Sequence, residues 1–175
     1  MRIFGLLLNT MATISKKTRL WVILSVLVVS TGLDQWTKSL AINLLKGRPS
    51  THYWGDLFRL QYVENAGSFL GMGSMLSEEV RFWLLTVGVS LFLAGCIAYL
   101  VFSSAVDRVL LVVMSLVVSG GASNVIDRVW RTHGRVVDFM NMGIGDLRTG
   151  IFNVADVAIM AGLFYWSWLT LFKKP

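Results

Sequence analysis

A single cysteine, Cys96, stands in a chain of 175 residues. One thiol excludes an internal disulfide and any CxxC metal or redox pair. Its setting, LFLAGCIAYL, reads as a small buried apolar residue. Histidine is nearly as scarce: His52 and His133 are the only two, too few beside one cysteine for a zinc site. No GxSxG elbow is present, so nothing marks a Ser/His/Asp triad. Charged residues make up only 15% of the chain, against about 25% in soluble domains. The net charge of +6 does not point to nucleic acid: the bases form no helical stripe and match no binding motif. It is read instead as topology signals and attraction to anionic headgroups. A cleaved leader is not expected either, because GLLL at 5–8 is short and the basic cluster follows it. Met1 and Met11 both fit as the start.

What the chain has in quantity is apolar sequence, at 55% hydrophobic with mean hydropathy +0.65. A span needs about 20 apolar residues. Residues 82–106 give one without a charge. Three further spans are expected at about 20–41, 109–126 and 151–172, with a tight turn at Asp107-Arg108. The polar segments 42–81 and 127–150 connect them. HYW and LFRLQYVEN, aromatic and β-branched with some alternation, predict one or two short strands at the membrane surface. Trp54 and Tyr62 suit an interfacial belt. Residues 129–150 read as a polar, glycine-containing loop, and Ser77-Glu78-Glu79 as a helix N-terminus. The fold class is a mainly α membrane protein: four transmembrane helices with a small extracytoplasmic β-rich cradle, one domain over 1–175.

Orientation follows from the density of Lys and Arg in the flanks. Residues 1–19, 106–108 and 173–175 carry seven bases in 25 positions, and the opposite flanks carry nine in 78. Both termini are therefore expected in the cytoplasm. Asp34, Asp127, Asp138 and Asp156 then converge on the outer face, with Asn65, Asn124 and Asn153. Ionisable residues at the edge of a span are functional-site hypotheses by default.

Three groupings could carry chemistry. Gly120, Asn124, Asp127 and Arg128 recur at helical spacing, and the favoured reading of Asp127 with Arg128 is a structural ion-pair network. On the first span, Lys38 follows Asp34 by four residues, so acid and base share a face. VVDF places Asp138 among apolar residues, either desolvated or in an exposed loop. FNVAD places Asn153 and Asp156 three apart at a helix start, where N-capping alone would explain both. Two Asp meeting at an apolar site cannot both ionise, so one keeps its proton. Together they could activate water and protonate a scissile carbonyl. A hard-cation site built from Asp and Asn stays open on these residues. Two rival classes also remain: a non-catalytic carrier or assembly factor, and a metal-dependent lipid hydrolase.

DQWTK at 34–38, ENAGSFLG at 64–71, GGASNVIDR at 120–128, VVDF at 136–139 and FNVAD at 152–156 occur in the order of a known family. On these motifs the chain resembles bacterial lipoprotein signal peptidase (signal peptidase II), a membrane aspartic protease family of the bacterial cytoplasmic membrane. The resemblance implies Asp138 and Asp156 as the catalytic pair. It implies Asp34, Lys38, Asn65, Gly67, Asn124, Asp127, Arg128 and Asn153 as substrate-binding or supporting residues. It implies a diacylglyceryl prolipoprotein substrate cut before its lipidated Cys, contact with membrane lipid, and binding by the cyclic peptide globomycin. No metal or organic cofactor is implied. Ser123 departs from the family's usual Gly, for which a local packing change is expected. Asp146, in the GDLRTG turn, is read as solvated.

Overall fold

The structure is a computed structural model describing residues 14–68 and 71–172. The two starts, the GLLL run and the terminal lysines lie outside the described residues. The chain runs α1 (Lys16–Leu45), β1 (Thr51–Tyr53), β2 (Phe58–Asn65), α2 (Glu78–Phe102), α3 (Arg108–Trp130), β3 (Val136–Ile144), β4 (Leu147–Arg148) and α4 (Val154–Phe172). All four helices are long and apolar enough to cross a membrane. Even α4, the shortest at 19 residues, spans about 28 Å, close to the hydrocarbon thickness of about 30 Å. Trp21, Val28, Val29, Leu91, Phe92 and Phe164 point outward and stay exposed. Such a belt suits lipid and not water.

The ends of the helices are fixed by identifiable groups. Ser15 caps α1 by accepting from the Thr18 amide, and Asp107 caps α3 by accepting from the Leu110 amide at 2.8 Å. Asp107-Arg108 is thus a helix start, not the expected tight turn. Ser77 caps α2 with Glu78 and Glu79 in its first turn. The second span ends at Phe102, short of the expected 106. The reason is Arg19 of α1: its buried guanidinium donates to the carbonyls of Leu100, Ser103 and Val106 at 2.6–3.1 Å. It supplies donors that a continuing helix would have supplied itself. Ile23, Leu100, Val101, Val106 and Leu111 pack beside it as one core.

The opposite end carries a four-stranded antiparallel sheet in the order β1-β2-β3-β4. β1 and β2 occupy the segment where strands are expected. β3 and β4 correct the reading of 129–150 as a loop. Val136, Val137, Asp138 and Phe139 are all buried, because both faces of β3 are covered, and a strand buried on both faces shows no alternation. Ala41, Val137 and Phe139 form a second core that seats the sheet on α1. A register shift between Leu60 and Val63 interrupts the β2–β3 pairing. Beyond it Val63 faces Asp138 and Asn65 faces Val136, which puts Asn65 diagonal to Asp138 on one face.

Candidate active site

α4 starts at Val154 and not at 151, because Phe152 is held by β3. Its amide donates to the Met140 carbonyl at 2.8 Å, and its carbonyl accepts from the amides of Phe139 and Met140. This bridge brings FNVAD against VVDF. Asn153 then joins the two acids. Its side chain donates to Asp138 Oδ1 at 2.6 Å, and its backbone amide donates to Asp156 Oδ2 at 3.0 Å. The Asp156 amide donates back to Asn153 Oδ1 at 2.9 Å, which is the expected N-cap. Capping and site-building are therefore the same contacts.

Three asparagines aim amide groups at the two carboxylates, and each is oriented by a donor on its own oxygen. Asn65 Oδ1 accepts from the Gly67 amide, so its Nδ2 donates to Asp138 Oδ2 at 2.9 Å. Asn153 Oδ1 is taken by the Asp156 amide. Asn124 Oδ1 accepts from the Lys38 ammonium at 2.9 Å, so its Nδ2 donates to Asp156 Oδ1 at 3.0 Å. A reversed amide would set donor against donor in each case.

Asp138 is 2% exposed, which corrects the exposed-loop alternative. Burial pushes its carboxyl up to about 6, with the nearby Asp156 adding to the rise and the donors Asn65 and Asn153 opposing it. Asp138 and Asp156 line a cleft of about 380 Å³ with Asn65, Gly67, Ser68, Asn124 and Arg128. The remainder of its wall is apolar: Leu85 and Val89 of α2, Gly121 and Val125 of α3, Val136 of β3, and Ile159, Met160 and Leu163 of α4. Leu85 sits in the π-helical stretch Phe82–Gly88 of α2, a distortion often found at functional sites. Nothing in the sequence singles out these aliphatic residues, which read there as ordinary span.

Behind the cleft lies a buried charge cluster. Lys38 is fully buried and pairs with Asp34 at 2.7 Å and Asp127 at 3.1 Å. Asp34 also accepts from the Ala155 amide at 2.8 Å and the Ser123 hydroxyl at 2.7 Å. The Ser at 123 therefore does more than adjust packing: it adds a buried hydrogen bond to the acid that holds the start of α4. Asp127 accepts from Gln35 at 2.9 Å and the Val137 amide at 3.0 Å, and pairs with Arg131 at 3.3 Å. It acts as scaffold between α1, α3 and β3. Gln35 lies inside the DQWTK motif without being singled out there, and nothing local marks Arg131. Asp127 thus has the ion-pair network with neighbours expected of it, whereas Arg128 bonds backbone carbonyls instead. Arg128 donates to those of Gly67 at 2.6 Å and Gly134 at 2.9 Å, tying two loops to the cleft. Asp146 is exposed on the β3–β4 turn. Among the described residues no three His, Cys, Asp or Glu group as metal ligands.

α3 packs closely on α4 at Gly120. A methyl group on Gly120 would meet the Ala155 carbonyl oxygen and lie 2.7 Å from Ile159 Cγ1. Gly120→Ala is thus expected to cost about 1–3 kcal/mol, as overpacking does, and to shift the start of α4 that carries Asp156. Thermal unfolding in detergent checks it; an unchanged midpoint would contradict the packing.

The sequence profile described as signal peptidase (SPase) II matches residues 11–172. A lipoprotein signal peptidase from Halalkalibacterium halodurans is 33% identical over 131 residues, covering 75% of this chain and 80% of the relative. Another from Chlorobium phaeobacteroides is 36% identical over 139 residues, covering 74% and 83%. A solved bacterial membrane enzyme superposes with TM-score 0.71 at 25% identity, covering 86% of this chain and 87% of that one. A second shares the fold with TM-score 0.72, covering 87% and 94%. Neither a carrier nor an assembly factor is favoured by these relatives. The match over nearly the whole chain, on a four-helix membrane scaffold, means that the chain belongs to the signal peptidase II family.

Proposed function

We propose that this protease removes signal peptides from diacylglyceryl-modified prolipoproteins by aspartic catalysis, with Asp138 and Asp156 as the dyad. The observation that carries the reading is Asn153, which bonds both carboxylates and holds them on one cleft. Two acids at such a site share one proton. The ionised carboxylate takes a proton from water as its oxygen attacks the scissile carbonyl carbon. The protonated carboxyl donates to the carbonyl oxygen. When the C–N bond breaks, the first acid gives its proton to the leaving amine and the second recovers one from a diol hydroxyl, so the pair again holds one proton.

The shape of the cleft supports the same reading. Its polar end holds the acids, and its apolar wall runs along three helices, as a membrane-embedded signal peptide with a lipid-bearing Cys requires. The density of Lys and Arg favours cytoplasmic termini and a site near the outer face. Globomycin, a cyclic peptide, is expected to occupy this cleft. The test uses the purified chain in vesicles with a precursor before and after diacylglyceryl transfer. Cleavage before the modified Cys is expected, and equal cleavage of the unmodified precursor would contradict the substrate assignment.

The pH dependence follows from the shared proton. With the Asp138 carboxyl at about 6, the pair loses its last proton as pH rises past that region, and the acid that serves the carbonyl oxygen is lost. kcat/KM is expected to fall on the alkaline side with a limb at or above about 6, well above the ordinary carboxylate range near 4. Excluding water with bound substrate moves the kcat limb further up. A pH–rate profile that climbs steadily to about pH 10, where carboxyl groups have long since ionised, would contradict this.

A further inference from the structure

The two acids are held by different kinds of groups. Asp138 accepts from Asn65 and Asn153, whose oxygens are occupied by backbone amides of Gly67 and Asp156. Asp156 accepts from the Asn153 backbone amide and from Asn124, whose oxygen takes the Lys38 ammonium at 2.9 Å and, at a longer 3.3 Å, the Asn153 side chain. A cation on the amide oxygen polarises the N–H groups on the other side, strengthening their bond to an anion. Asp156 also lies in the first turn of α4, where the helix favours negative charge, whereas Asp138 lies on a strand.

We propose that Lys38 is a positioning residue that assigns the acids unequal roles: acting through Asn124, it keeps Asp156 as the ionised base, so that Asp138 carries the proton. This rests on the dyad reading above. Water then gives its proton to Asp156 while its oxygen bonds to the scissile carbon, and Asp138 passes its proton to the carbonyl oxygen. On collapse the C–N bond breaks, Asp156 protonates the amine, and Asp138 recovers a proton from the diol, so the pair ends with the one proton it began with.

The other charges near the pair do not supply this asymmetry. Asp34 and Lys38 come from α1, and Asp127, Arg128 and Arg131 from α3. Asp34 and Asp127 are bonded to Lys38, and Arg131 pairs with Asp127. Arg128 lines the cleft with both acids, and it donates to the carbonyls of Gly67 and Gly134.

The test is the pH profile of kcat/KM on a lipidated precursor. Lys38→Met/Asp34→Asn removes one cation and one anion together, leaving Asp127 with Arg131. Asn124→Ser keeps the ion pairs but cuts the link to Asp156. In both, the acid limb is expected to move up by about one pH unit, with the alkaline limb in place. An unmoved acid limb, a uniform loss at every pH, or a shift of the alkaline limb alone would overturn the assignment. If the double variant does not fold, Asn124→Ser decides. Asp138→Asn and Asp156→Asn are run alongside: parental cleavage by either sinks the dyad itself, whereas two dead variants with unmoved limbs elsewhere sink only the role given to Lys38.

Discussion

Lys38→Met is expected to lower stability by about 3–5 kcal/mol, the usual cost of removing one partner of a buried ion pair. The ammonium is fully buried and touches Asp34, Asp127 and Asn124 within 3.1 Å. Removing it leaves Asp34 facing only the Ala155 amide and the Ser123 hydroxyl, and two carboxylates without their shared cation. The damage should spread, because these acids connect α1 to α3, α4 and β3. Lys38→Met/Asp34→Asn should recover most of the loss, since it removes a buried charge of each sign. Denaturant or thermal unfolding in one detergent checks both. Equal midpoints for parent and Lys38→Met would mean that the cluster carries little of the fold.

This cluster marks where the sequence is legible and where it is not. The apolar runs disclose four spans, and the four-residue step from Asp34 to Lys38 shows a shared face. Asn153 and Asp156 can be read as a cap because a cap is local. Lys38 meeting Asp127 is not local: it depends on how α1 lies against α3. β3 goes unseen for a similar reason. VVDFMNMGI has no alternation over its buried half, and its strand identity comes from pairing with β2 and from the Phe152 bridge. The same bridge brings Asp138 to Asp156, so composition and periodicity make the dyad conceivable but cannot place it. The family motifs name the acids; the contacts supply the reasons, namely three asparagines fixed by a lysine and two backbone amides.

The second large effect concerns those acids. Asp138→Asn and Asp156→Asn are each expected to reduce cleavage by at least about 10³-fold, within the range that positioned acid–base groups supply. Asn keeps the size of Asp but can neither take a proton from water nor give one to the carbonyl. Folding should survive. At 138 the substitution leaves one of two donors, Asn65 or Asn153, without an acceptor, at a cost of about 1–3 kcal/mol. At 156 the helix start retains the Asn153 oxygen on the 156 amide and Asp34 on the Ala155 amide. The double variant should be little worse than either single one, because groups that act as a unit do not add.

The dyad stands or falls on single-turnover cleavage of a lipidated precursor by the parent, Asp138→Asn and Asp156→Asn, each first shown to unfold cooperatively near the parental midpoint. Rapid release of the signal peptide is expected from the parent, and none from either variant over many parental half-lives. Release by a folded Asp138→Asn or Asp156→Asn chain at close to the parental rate would refute aspartic catalysis by this pair.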